Sequence, residues 1–253
     1  MLNRKVLITI LSFVCLPIAV LASTGEQLEK VAADGNVALV LVMEPGAAGL
    51  DQARRTIEDA AKQIPGSVVI ESNRADATNS AFVQKYGLAA APVPLFLVFA
   101  PNGAIAGGNV ASRLQAQQLA ALVPSPRKAE VLKALQSGHA VYVTASRAGM
   151  ASTSALAREC ATACTQMQGK CVSVAVDMDD PLEKGFLNQL KVNTRTTEPV
   201  TVVINAKGQV TGNYRGVVEA EKLIASATKV VAGGCCPSGS GKTCGPAPAK
   251  KGK

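Results

Sequence analysis

The chain has 253 residues, room for one or two domains with a packed core. Apolar residues make up 48% and charged residues 17%, which excludes a chain disordered throughout; aromatics at 3%, with no Trp, leave almost none of the stacking platforms that single-stranded nucleic acid needs. The formal charge of +8 gathers at the ends, in Arg4 and Lys5 and in Lys242, Lys250, Lys251 and Lys253, so the body is close to neutral and no nucleic-acid partner is expected.

The chain opens on MLNRK and an apolar run, VLITILSFVCLPIAVLA, closed by small residues. That pattern predicts a signal peptide over residues 1–22, cleaved after Ala22, and a periplasmic or secreted protein. The run is short for a bilayer and contains Pro17, so no membrane span is expected after cleavage. Cys15 follows Phe13 and Val14 rather than the small residues that lipidation needs, and is assigned to the leader.

A helix-like EQLEKVAADGN comes next, then a buried strand, ALVLVM. The turn EPGAAGLD leads into a helix with apolar residues at Leu50, Ala53, Ile57, Ala61 and Ile64. A strand SVVIES, the segment FVQKYGL and the pair Val93-Pro94 follow, the pair heading a strand LFLVF, a turn at Asn102-Gly103 and a closing helix SRLQAQQLAALV. The same order then repeats. RKAEVLKALQSGH and AVYVTA are followed by the turn SRAGMAST and a helix with Leu156, Cys160, Ala163 and Met167 on one face. The strand CVSVAV, the segment FLNQLKV, Glu198-Pro199, VTVVI, a turn at Lys207-Gly208 and VEAEKLIASATKVV complete the copy. Phe82 matches Phe186 and Leu88 matches Val192 at a constant offset, and both prolines stand nine residues before their turn glycine. Two domains are expected, residues 23–123 and 127–232, with a Pro-Ser-Pro linker at 124–126 and a tail over 233–253.

This succession resembles the thioredoxin fold over nearly all of residues 25 to 232, best in KYGLAAAPVPLFLVFAPNG and TTEPVTVVINAKG. The expected architecture is α/β: two tandem thioredoxin-like α/β/α domains with a flexible Cys-rich C-terminal tail. The resemblance implies that Pro94 and Pro199 are cis and border a groove that receives an extended protein segment, with Pro92 a rival in the first copy. The CxxC pair of that superfamily, placed between the first strand and its helix, is absent from both copies, so dithiol exchange at those turns is not expected.

The cysteines beyond the leader fall in two groups. Cys160, Cys164 and Cys171 are open to three readings: small buried hydrophobes, a structural disulfide from Cys171 to Cys164 or Cys160, or a metal or redox trio. Cys235, Cys236 and Cys244 lie in a Gly-, Pro-, Ser- and Lys-rich tail that has no packing reason to contain thiols. They are candidate ligands for a soft metal ion, Cu, Zn or Hg, or exchanging thiols, or structurally paired. The phosphate-loop likeness of PSGSGKT fails, because Cys236 stands where the first Gly belongs and no helix follows. Asp177, Asp179 and Asp180 read as a solvated loop. His139, the single histidine, is expected to be structural and excludes two-His zinc motifs. The expected function is an exported, non-catalytic binding or accessory role in envelope thiol biology, its partner an extended protein segment or envelope thiol protein. Soft-metal capture by the tail and thiol-disulfide exchange through the tail are the alternatives.

Overall fold

The computed structural model describes residues 22–230, so the leader up to residue 21 and the tail with Cys235, Cys236 and Cys244 lie outside the described residues. The chain divides between Pro124 and Ser125 into two units.

In the first unit Ser23 caps α1 (Thr24–Ala33) through a reciprocal pair with Glu26, whose carboxylate accepts from the Ser23 N–H at 2.8 Å. There follow β1 (Ala38–Met43), α2 (Leu50–Ala61), β2 (Val68–Asn73), α3 (Ser80–Lys85), β3 (Leu95–Phe99), β4 (Ile105–Val110) and α4 (Ala116–Ala120). The strands stand in the order β2-β1-β3-β4, β1 parallel to β2 and antiparallel to β3, which pairs antiparallel with β4. Because β1 is covered on both faces it is apolar at every position. Ala38, Val40 and Val42 pack with Val31, Phe82 and Phe99 on the side of α1 and α3, while Leu39 and Leu41 pack with Ile57, Ala60 and Leu119 on the side of α2 and α4.

The second unit repeats the plan. Its elements are α5 (Pro126–Gln136), β5 (Ala140–Ser146), α6 (Thr153–Gln166), β6 (Cys171–Asp177), α7 (Lys184–Gln189), β7 (Val200–Ile204), β8 (Val210–Arg215) and α8 (Ala220–Thr228). The sheet order is β6-β5-β7-β8 with the same directions. Val141 and Val143 join Val131, Phe186 and Val202 on one face; Tyr142 joins Leu156, Cys160 and Leu223 on the other. The repeat reaches the backbone: α3 and α7 are each followed by a left-handed residue, Gly87 at φ 64° and Lys191 at φ 56°.

Two expectations change in detail. Pro126, placed in the linker from sequence, is the first residue of α5, where its fixed φ suits a helix start and its missing N–H costs nothing. The helix expected over SRLQAQQLAALV is confined to five residues, because Leu114 is extended and breaks it from the short 3₁₀ turn at Ala111–Arg113. No helix among the described residues is long and apolar enough to cross a membrane.

Candidate functional site

Val42 pairs with Leu95, so the strand register sets Pro94 at the head of β3 across from Met43, the last residue of β1. The turn 44–49 leaves β1 at that point and enters α2, whose first turn has no side-chain cap; Gly49 holds it open at φ 79°. The peptide Val93–Pro94 is cis. Val93 turns its side chain into the cluster of Tyr86, Phe82 and Phe99, and neither its N–H nor its C=O has a hydrogen-bond partner among the described residues. Pro92 before it is exposed, and Ala111 donates to the Pro94 carbonyl at 2.8 Å, which fastens the far side of the proline to the end of β4.

An arginine holds this loop in place. Arg74, directly after β2, is largely buried; its Nε donates to Glu44 Oε1 at 2.5 Å and its Nη1 to the carbonyls of Leu88, at 3.1 Å, and Ala91. One guanidinium therefore ties the turn after β1 to the loop before Pro94. The bonded guanidinium holds the Glu44 carboxyl below the usual carboxylate range.

The second unit builds the same tie with the charges exchanged. Arg147 follows β5 where Glu44 follows β1, and Asp179 stands after β6 near the place of Arg74. Arg147 donates from Nη2 to the carbonyl of Thr194, and its Nε lies 3.4 Å from Asp179 Oδ1, an ion-pair contact without hydrogen-bond geometry. Asp177 and Asp180 instead accept from the N–H groups of Asp179 and Leu182, each at 2.9 Å.

At the proline the two units part. The bond Glu198–Pro199 is trans, which corrects the expectation of two cis prolines. Trans is the default for X-Pro; here the loop is further engaged, since the Glu198 N–H donates to Thr196 Oγ1 at 3.2 Å. The Glu198 carboxylate also sits over Gly216, where an added Cβ would meet it at 3.3 Å.

The body cysteines are brought close to one another but to neither turn. Cys164 and Cys171 form a disulfide that closes the turn between α6 and β6, one of the readings open from sequence. Cys160 is a free thiol, fully buried among Leu156, Ala163 and Tyr142, and burial pushes it up to about 11. Among the described residues no group of His, Cys, Asp or Glu is gathered as metal ligands would be. His139, half-buried, is tied through its N–H to the Ala134 carbonyl at 3.0 Å.

No family model and no curated protein matches the chain. Solved structures do. The first two thioredoxin domains of Naumovozyma dairenensis Eps1p are 11% identical over 81% of this chain and 95% of theirs, with a TM-score of 0.30. Human ERp44 in a zinc-bound form is 12% identical over 81% of this chain, at a TM-score of 0.34, and this chain spans 57% of it. A designed protein is 17% identical over 35% of this chain and 74% of its own, at 0.30. At such identities and TM-scores these likenesses carry no argument, and each unit's own strand order, directions and two-faced helix cover decide its fold. The fold of both units is thioredoxin-like. In both thioredoxin-like units the turn between the first strand and its helix, residues 44–49 and 147–152, contains no cysteine.

Sequence reasoning found the prolines and the thiol-free turns but missed the arginine ties. Arg74 lies thirty residues from Glu44, so no local spacing joins the two. The one available signal was an arginine directly after a strand whose other neighbours read as loop.

Proposed function

We propose that the chain is an exported, non-catalytic accessory protein of thiol biology whose first unit holds an extended segment of a partner protein against Val93–Pro94. The observation that carries this reading is the unpartnered Val93 backbone, one donor and one acceptor at the rim of a sheet, beside a turn that offers no thiol. An extended chain running past Val93 would satisfy both groups as an added strand does. The surface it would cross, with Ala89, Ala90 and Pro92 exposed, is small and uncharged and admits a backbone closely. Arg74 pre-orders the loop, which lowers the entropy cost of binding. In the second unit the Glu198 N–H is already taken, so the first unit is the binding one and Pro199 the lesser candidate.

The test uses the mature chain and a reduced, alkylated unfolded protein as probe. Binding is expected to shift the amide resonances of Val93 and residues 44–49, and Val93→Pro, which deletes the donor, is expected to weaken it by about tenfold, as losing one hydrogen bond and leaving its acceptor unpaired would. Equal binding by V93P, or shifts only around Pro199, overturns the groove. Turnover of a disulfide substrate that C235S/C236S/C244S abolishes would replace the non-catalytic reading with exchange through the tail, and stoichiometric Cu(I) or Zn(II) uptake lost in the same variant would replace it with metal capture.

A further inference from the structure

A cavity of about 280 Å³ opens in the second unit, at the end where β5 begins. Its walls are apolar at Ala140, Met167 and Ala227, and three lysines, Lys170, Lys207 and Lys229, stand around them. No acidic residue lines the cavity, and none of the three lysines takes part in an ion pair among the described residues. Met167 and Lys170 belong to the turn that Cys164–Cys171 closes, and Ala140 is the strand partner of Cys171, so the bridge fixes one wall in place.

The first unit shows that the fold does not require such a corner. Gly66 and Gly169, both at positive φ before the second strand of their unit, match Ile64 to Met167 and Ser67 to Lys170. The hairpin glycines Gly103 and Gly208 match Asn102 to Lys207, and the fully buried Leu119 and Leu223 match Val123 to Ala227, each four residues on. In the first unit Ile64, Leu122 and Val123 pack against the core, and Ser67 and Asn102 carry no charge. The second unit has two methyl groups fewer at Ala227 and cations at Lys170 and Lys207. Lys229 is the C-cap of α8, where the helix dipole favours a cation, but Lys207 lies in a hairpin turn and has no such reason to be charged.

We propose that this cavity binds an amphiphilic organic monoanion, a carboxylate on an aliphatic body of about eight carbons. A cleft with apolar walls and charges of one sign concentrates ions of the other sign, and an apolar pocket with a few convergent polar groups holds the body of a ligand in its walls and orients it by its head. The volume equals that of about nine water molecules at about 30 Å³ each, room for the aliphatic body with its carboxylate at the mouth among the lysines. The seat is preformed, because the wall next to Cys171 is already fixed by the bridge, and little ordering is needed on binding. This site does not depend on the groove at Val93 and stands or falls separately.

The experiment is a titration of the full mature chain with sodium octanoate below its micelle concentration, followed through amide and methionine-methyl resonances. Saturable shifts are expected at Met167, Lys170, Lys207 and Ala227 and none around Val93. Hexanoate, two methylenes shorter, is expected to bind about tenfold more weakly, and octylamine, with the opposite charge on the same chain, is expected to leave these resonances in place. Ala227→Val restores the residue that the first unit has at this position and is expected to abolish the shifts while the rest of the spectrum is kept. Because an added branch in a core can disturb packing, the second variant is K170Q/K207Q, at two exposed positions, expected to weaken octanoate by about fivefold and to flatten its salt dependence. Absence of saturable shifts, equal shifts with octylamine, or octanoate binding by a folded A227V or by K170Q/K207Q equal to that of the parent overturns the proposal. So do Overhauser contacts, in the chain without octanoate, from the Met167 methyl to residues beyond Val230, which would make the chain's own segment the occupant.

Discussion

A cysteine in a thioredoxin-like unit invites a redox reading, and Cys160 shows what decides against it. Its Sγ is at the centre of a cluster with Leu156, Ala163 and Tyr142, 0% exposed, and desolvation penalises the thiolate more than the bond to Ser173 helps it. With its pKa pushed up to about 11, the group remains a thiol at neutral pH and acts as a small hydrophobe. The linkage has a definite sign. An unfolded chain releases the Cys160 proton in the ordinary thiol range, about pH 8.5, while the folded chain keeps it until about 11. The unfolded state therefore binds fewer protons between those values, and the stability of the second unit falls as pH rises through that window. Tyr142, pushed up to about 12, adds the same trend only above its own ordinary value. Denaturant midpoints taken from neutral pH to just below the tyrosine range are expected to decline for the parent and to stay level for Cys160→Ala, after allowing for the smaller side chain. A level parent would mean that the thiol titrates normally and is exposed. Iodoacetamide at mildly alkaline pH reads the same property: Cys160 is expected to be labelled only after unfolding.

Elements in this chain are held by residues that their own sequence does not show. α5 begins Ser-Pro, a helix start by composition, yet the Ser125 side chain does not cap it. The cap is Glu183, 58 residues on, whose carboxylate accepts from Ser125 Oγ at 2.6 Å and from the Arg127 N–H at 2.8 Å. Glu183 is 1% exposed, so both bonds are made out of water, and the negative charge faces the positive end of the helix. Glu183→Ala is expected to cost the second unit about 1–3 kcal/mol, the price of orphaning buried donors, and Glu183→Gln less, since its amide oxygen still accepts one bond. Denaturant unfolding followed at Tyr142 checks this, and a change below about 0.5 kcal/mol, the level of an ordinary surface substitution, would mean that water replaces the carboxylate. What was legible in sequence follows the same line. The strands ALVLVM and VTVVI match β1 and β7 residue for residue, because burial on both faces leaves a run that is apolar throughout in β1 and broken only by the buried Thr201 in β7. The prolines at the heads of β3 and β7 were legible through their fixed distance from a hairpin glycine. The Glu183 cap and the Arg74 tie were not, because each joins side chains 58 or 30 residues apart through the path of a loop; the choice of Cys164 over Cys160 as partner of Cys171 was not, because it depends on the rotation of α6 at its last turns.

At the scale of the molecule, the two units share an architecture while their working parts differ. Both units keep the sheet order and the two-faced core, and both tie the first turn to the loop before the proline with an arginine, although the charges are exchanged. They differ where chemistry would occur: the first has the cis proline and the open Val93 backbone, the second has the disulfide and its neighbouring cavity. Such a division predicts an asymmetric response to reductant. The bridge Cys164–Cys171 closes a short loop, which restricts the unfolded second unit by about 2–3 kcal/mol, and no described cysteine lies in the first. Amide exchange on the intact chain resolves the two. With dithiothreitol, protection of the β5 and β7 amides, which exchange only on opening of their unit, is expected to fall by about 30- to 150-fold, that free energy converted at 1.4 kcal/mol per decade, while the β1 and β3 amides keep theirs. An equal loss in both units would show that they unfold as one, and an unchanged β5 would show that the bridge does not restrain the unfolded chain.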